Sequence, residues 1–125
     1  MSFIAYDVTK ELIASLRPVV PAIAAHNKDL ADQLYRAASS VLLNLAEGQK
    51  FQNGNRRKHY AIAHGSANEV KAALDVAEGW GWLEQRGPER ELLDRVLALL
   101  WRLTRAESCR TEAARAVPRN RAVRA

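Results

Sequence analysis

From Leu30 to Gly48 the apolar residues fall at Leu30, Leu34, Ala37, Ala38, Val41 and Leu45. This i, i+3, i+4, i+7 spacing gathers side chains on one face of a helix that turns ~100° per residue. The pattern predicts one amphipathic helix against a core. Asn27 is the expected N-cap, with Asp29 and Asp32 favouring the positive end of the helix dipole. Gly48, lacking a Cβ, is the expected stop in a left-handed conformation. Upstream, Val8, Leu12, Leu16, Val19 and Ile23 hold one apolar phase from about Tyr6 to Ala25, and Pro18 and Pro21 both fall on the opposite face. A proline inside a helix removes a backbone bond and costs ~3 kcal/mol. The continuous phase predicts a single helix kinked near Ala14 to Arg17, with a break into two helices as the alternative.

Beyond the loop from Gly48 to Asn55, which contains the turn pair Asn53-Gly54, a third helix is predicted from about Arg56 to Trp80. Its buried face reads Ile62, Ala63, Ser66, Ala67, Val70, Ala73, Leu74 and Ala77, rich in small residues that let backbones approach, with Gly65 expected to help. Gly79, Gly81 and Gly87 mark the next turn, and Pro88 suits the first position of a last helix running to about Ala113. Short connections force successive helices to run antiparallel. The predicted fold is all-α, an up-and-down antiparallel four-helix bundle over residues 1–114, followed by a basic, flexible C-terminal tail over 115–125.

Two helices carry more apolar arc than one bundle face needs. Tyr35, Leu42 and Ala46 flank the core face of the second, and Leu97 and Trp101 belong to or border the wide arc of the last. Excess apolar surface points to a subunit interface formed by Tyr35, Leu42, Leu97 and Trp101; deep burial within one chain is the alternative.

The other side of the second helix bears Arg36, Ser40, Asn44 and Glu47, either a solvated face or the seam with the third helix. As a seam, antiparallel pairing sets Arg36 opposite Glu69 as an ion pair, Ser40 near Ser66, and Glu47 near Arg57 or His59.

Charge sharpens the picture. The formal net charge is +5, of which the 16 residues from Arg110 to Ala125 supply five arginines against one acid. Lys50, Arg56, Arg57 and Lys58 form a second cluster with no acid between Gly48 and Asn68. In an up-and-down bundle both clusters meet at one end, where Lys50, Arg56, Arg57 and Lys58 join Arg110, Arg115, Arg119, Arg121 and Arg124. Three bases opening a helix oppose its dipole, and a phosphate-bearing partner, RNA or DNA, accounts for that arrangement. A solubilising extension is the alternative for the tail. Phe51, beside Lys50, offers either a stacking surface for a base or ordinary packing, and no motif for reading base edges is visible.

Enzyme chemistry finds no support. The chain has no Glu-x-x-His pair for a di-iron bundle site, no His-Glu-x-x-His, no phosphate-binding glycine loop and no cysteine cluster. His59 and His64, five apart, do not share a helix face, and Cys109 is a lone thiol that fits a reducing compartment. No cofactor or metal is expected. With no apolar run long enough to span a bilayer and no cleavable leader, the expected location is the cytoplasm, away from membranes.

Two ordered motifs carry a family resemblance. Arg36-Ala37-Ala38-x-Ser40-Val41-x-x-Asn44-Leu45-Ala46-Glu47-Gly48, followed by Tyr60-x-x-Ala63-x-Gly65-Ser66-x-x-Glu69, resembles the four-helix bundle family encoded by intervening sequences of bacterial 23S ribosomal RNA genes. Relatives of that family include the accessory variability protein of diversity-generating retroelements. The resemblance spans roughly Leu30 to Leu83. It implies a ring-shaped homo-oligomer, typically a homopentamer, and for the retroelement relatives a basic surface that engages RNA and a reverse transcriptase. It marks Arg36, Ser40, Asn44, Glu47, Gly48, Gly65, Ser66 and Glu69 as motif positions. The function expected is that of a non-enzymatic interaction protein that binds RNA or a ribonucleoprotein; the alternative is a scaffold that recruits protein partners without nucleic acid.

Overall fold

Helix breakers and caps decide where this chain turns. The computed structural model describes residues 3–52 and 54–124, apart from the side chains of 108, 110–112 and 114–124. Among the described residues there are five helices and no strand: α1 (Ile4–Ser15), α2 (Val19–Ala24), α3 (Lys28–Gly48), α4 (Gly54–Gly79) and α5 (Glu89–Arg124). The chain is all-α, with one helix more than the four expected.

The extra helix arises because the first rod breaks at Pro18. Leu16 to Pro18 form a turn in which the Leu16 N–H is shared between the Leu12 and Ile13 carbonyls, both at 3.1 Å, and the Arg17 N–H reaches Ala14 O at 3.3 Å. Pro18 has no N–H to continue the ladder and disfavours helical geometry in the residue before it. The helix restarts as the Val19 N–H bonds Leu16 O at 3.0 Å. Hydrophobic phase survives the break, because three turn residues advance the chain almost as a helix does. Leu12, Leu16, Val19 and Ile23 are buried while Pro18 and Pro21 are exposed. A groove of about 230 Å³, lined in part by Ile13, Leu16, Val20 and Tyr35, opens between this broken rod and α3.

The start of α3 is the one expected, with the Leu30 N–H donating to Asn27 Oδ1 at 3.0 Å. Its end differs. Gly48 is helical and Gln49 follows at φ −64°, and among the described residues only Gly81 has positive φ. Gly48 instead makes room for a neighbour, since a Cβ there would lie 2.5 Å from Cε1 of the buried Tyr60 ring. Gly65, expected to allow close approach, is exposed with nothing within 4 Å of where its Cβ would be.

The end of α4 is a Schellman motif. Gly81 takes φ +75°, its N–H bonds Glu78 O at 3.0 Å, and the Trp82 N–H bonds Ala77 O at 2.9 Å. Pro88 sits one position earlier than expected, accepting the Leu92 N–H at 3.1 Å just before the first residue of α5. The buried Glu89 carboxylate accepts the Gly87 N–H at 3.1 Å.

The core gathers Leu12, Ile23, Leu34, Val41, Leu45, Val70, Leu74, Leu93, Val96 and Leu100, all fully enclosed. Burial of each aliphatic side chain contributes roughly 1.5–3 kcal/mol. Helix α4 presents the predicted small-residue face of Ala63, Ser66, Ala67, Ala73 and Ala77, but Ile62 is 42% exposed. Helix α4 lies against α3 and α5, α1 against α5 and α3, and α2 against α3. At the α4–α5 turn, Glu78 accepts Arg86 Nε at 3.1 Å, Arg86 Nη2 at 3.2 Å and Arg90 Nε at 3.1 Å, while Arg90 Nη2 reaches Asp75 Oδ1 at 2.8 Å. The hydrogen bonds from Arg86 and then Arg90 hold the Glu78 carboxyl below the usual carboxylate range. Partial burial works against the charged form of Arg90, yet its bonds to Glu78 and Asp75 keep its pKa raised. Among the described residues no helix is long and apolar enough to cross a membrane.

Candidate nucleic-acid interface

The end of α3, the turn after it and the first turn of α4 bring together the four described bases of the expected interface. Arg56 is committed within the protein. Its Nε donates to Gly48 O at 3.1 Å, its Nη2 to Gln49 O at 3.3 Å, and its Nη1 lies 4.0 Å from Oε1 of the buried Glu107. A guanidinium at the C-terminal end of a helix meets the negative pole of that helix. Arg56 is therefore unfavourable for α4, whose first turn it occupies, and favourable for α3, whose last carbonyls it closes. Its charge is explained without an anion from outside the chain. Lys50 pairs with Glu47 at 3.3 Å on an exposed surface, a contact worth about 0–1 kcal/mol. Arg57 and Lys58 are exposed. Phe51, half-buried, stacks on His59 with ring centroids 5.8 Å apart and planes within 5°.

Below this end a chain of hydrogen bonds runs along the α3–α4 seam. Ser40 Oγ and Ser66 Oγ are 2.8 Å apart, as the antiparallel register requires. Asn44 Nδ2 donates to Ser40 O at 2.9 Å and to Ser40 Oγ at 3.1 Å, and Asn44 Oδ1 lies 3.0 Å from His59 Nδ1. With the amide N–H groups directed at Ser40, the Asn44 oxygen faces His59, which must donate from Nδ1. This chain aligns two helices.

The outer motif residues are not part of it. Arg36, Glu47 and Glu69 are exposed, and among the described residues no ion pair joins Arg36 to Glu69. Arg36 precedes Ser40 by four residues, about 40° around the helix, and lies on the exposed side of the seam that Ser40 and Asn44 form with α4. Glu69 borders a second groove with Leu30, Gln33 and Val76. Of the neighbours expected for Glu47, His59 is bonded to Asn44, and Glu47 pairs with Lys50.

The Arg56 to Glu107 contact brings α5 to the same end as the α3–α4 turn. Arg110, Arg115, Arg119, Arg121 and Arg124 follow on α5, which continues to Arg124 and not merely to Ala113. Their side chains, and the turn residue Asn53, lie outside the described residues. Of the four residues expected at a subunit interface, Tyr35 and Trp101 are 60% and 53% exposed, with Arg105 Cζ 4.6 Å from the Trp101 ring centroid. Leu42 and Leu97 are half-buried, and Leu97 packs on the core. Among the described residues no group of three His, Cys, Asp or Glu is placed to hold a metal ion, and Cys109 is exposed.

Sequence reasoning missed the service of Arg56 to α3. The available signal is positional, a base opening a helix after a tight turn, where a hairpin folds it back onto the preceding helix end. Neither curated proteins nor solved structures give a match. A family model described as 23S rRNA-intervening sequence protein matches residues 5–100, a span that takes in both motifs, the seam and most of the core. The chain belongs to the 23S rRNA intervening sequence protein family.

Proposed function

We propose that this chain is a non-enzymatic interaction protein that binds RNA, or a ribonucleoprotein such as a reverse transcriptase complex, through the end bearing Lys50, Arg57, Lys58 and, late in α5, Arg110, Arg115, Arg119, Arg121 and Arg124. In this reading α1 and α2 count as one interrupted rod of an up-and-down four-helix bundle, and copies assemble into a ring, a homopentamer as in the resemblance, that repeats the basic end around an axis. Repetition multiplies weak phosphate contacts into tight binding. The observation that carries the reading is the contact of Arg56 with Glu107, because it supports a common location for the two basic clusters. Arg56 itself serves α3 and is left out of the contact set.

Binding of a single-stranded RNA 30-mer, followed by anisotropy between 50 and 200 mM salt, tests this. Each phosphate contact to a single strand contributes about −0.7 to the slope of log K against log salt. Lys50→Ala/Arg57→Ala/Lys58→Ala should reduce the slope by about 2, and deletion of 115–125, which removes four arginines, by about 3. Binding that neither change affects, or no binding, overturns the reading. A monomer by sedimentation at micromolar concentration overturns the ring. Exposed Tyr35, Leu43 and Trp101 favour the second reading, a scaffold for protein partners.

A further inference from the structure

Three aromatic rings stack on the surface of the end opposite the basic turn. The His26 ring lies parallel to Trp82 at 5.3 Å between centroids, and Trp82 lies beside Trp80 at 6.3 Å with planes 19° apart. Trp80 is 71% exposed, far more than an indole on a monomer surface needs to be. The backbone beneath the shelf is ordered before any ligand arrives. Gly81 and Trp82 belong to the Schellman turn, and the His26 N–H is bonded to Ile23 O at 2.9 Å. A surface already ordered loses little freedom on binding.

The surroundings select the partner. Residues 25–33 and 75–91 hold seven acids against three bases, a net of −4. Of those bases, Arg86 and Arg90 are bonded to Glu78 and Asp75. Asp29, three residues after His26, and Glu84, two after Trp82, are exposed. Such a field repels phosphate, so stacking of a nucleobase is disfavoured, and it attracts cations. A guanidinium is planar, weakly hydrated and suited to an indole face, whereas an ammonium keeps its water. The chain makes this contact once within itself, at Arg105 over Trp101. The geometry points to the Trp80–Trp82–His26 shelf as a docking surface for an arginine-bearing segment of a protein partner. A guanidinium stacks on Trp80, and Asp29 and Glu84 supply the countercharge.

The test uses the full chain and fluorescein-labelled, end-blocked hexa-arginine and hexa-lysine peptides, followed by anisotropy. The arginine peptide should bind about fivefold more tightly than the lysine peptide, and Trp80→Ala, a change at constant charge, should weaken it about tenfold. Asp29→Asn/Glu84→Gln should weaken it about threefold, and Trp101→Ala should leave it unchanged. Equal affinity for the two peptides, or indifference to Trp80→Ala, overturns the proposal. A fall in sedimentation mass on Trp80→Ala also overturns it, because the shelf is then a contact between copies of this chain. Arg57→Ala/Lys58→Ala, which weakens RNA binding at the other end, should not weaken the peptide, so the two readings fail separately.

Discussion

Replacing Gly48 and Gly65 by alanine, one at a time, should move stability in opposite directions although both glycines are helical. A glycine inside a helix costs about 0.8–1 kcal/mol relative to alanine, so Gly65→Ala begins with that gain and Gly48→Ala, at the last residue of α3, with at most that gain. At Gly65 nothing opposes it, because no atom lies within 4 Å of the new methyl group. At Gly48 the methyl would meet Tyr60 at 2.5 Å from Cε1, 2.8 Å from Cδ1 and 3.3 Å from Cζ. These atoms belong to a rigid ring that is 4% exposed and has little room to withdraw. Overpacking of this kind costs about 1–3 kcal/mol, which cancels or exceeds the helical gain. Unfolding entropy of ~2.1 cal/mol/K per residue makes 1 kcal/mol worth about 4 °C in a chain of this length. By calorimetry Gly65→Ala should melt about 3–4 °C above the parent and Gly48→Ala about 0–8 °C below it. Adding Tyr60→Leu to each background gives a cycle in which the Gly48 penalty shrinks. A Gly48→Ala protein that melts as high as Gly65→Ala refutes the packing argument.

Two further outcomes follow from the charged contacts. Arg56→Met opens the last carbonyls of α3 and removes one contact of the buried Glu107; it should cost about 1–3 kcal/mol in urea unfolding, and an unchanged midpoint sinks the assignment of Arg56 to the end of α3. The Glu78 carboxyl is held low by Arg86 and Arg90, so its contribution is complete above its ordinary 4.5 and disappears as pH falls through the lowered folded value. Glu78→Gln should therefore be less stable than the parent at pH 7 and converge with it only as pH falls through the lowered folded value. A gap that persists in acid contradicts that assignment.

The sequence made legible what spacing controls. Apolar periodicity located α3 and α4, and the antiparallel register paired Ser40 with Ser66 across 26 residues. It was silent where three-dimensional reach decides. Periodicity records which side of a rod faces inward, not whether the backbone ladder is unbroken, so it does not distinguish a turn at Pro18 from a kink. Spacing from Ser40 puts Arg36 near the seam, yet a helix sector only about 60–80° wide meets a neighbouring helix, and Arg36 lies beyond it. The two glycines exchanged roles because close approach depends on what stands opposite, and only packing puts Tyr60 against Gly48. The Arg56 charge suggested an external anion, since nothing in its own helix answers it. The path of the turn after α3 supplies that answer from another helix.

The brevity of α2 makes the molecule unevenly held. Six residues form too few backbone bonds to offset the cost of starting a helix, so α2 persists only because Val19 and Ile23 are seated against its neighbours. Its amides should surrender their protons to solvent deuterium ahead of those at the centres of α3 and α4. Detachment of that one corner, with the three long helices intact, would widen the lipophilic cleft beside Tyr35 at a fraction of the free energy of global melting.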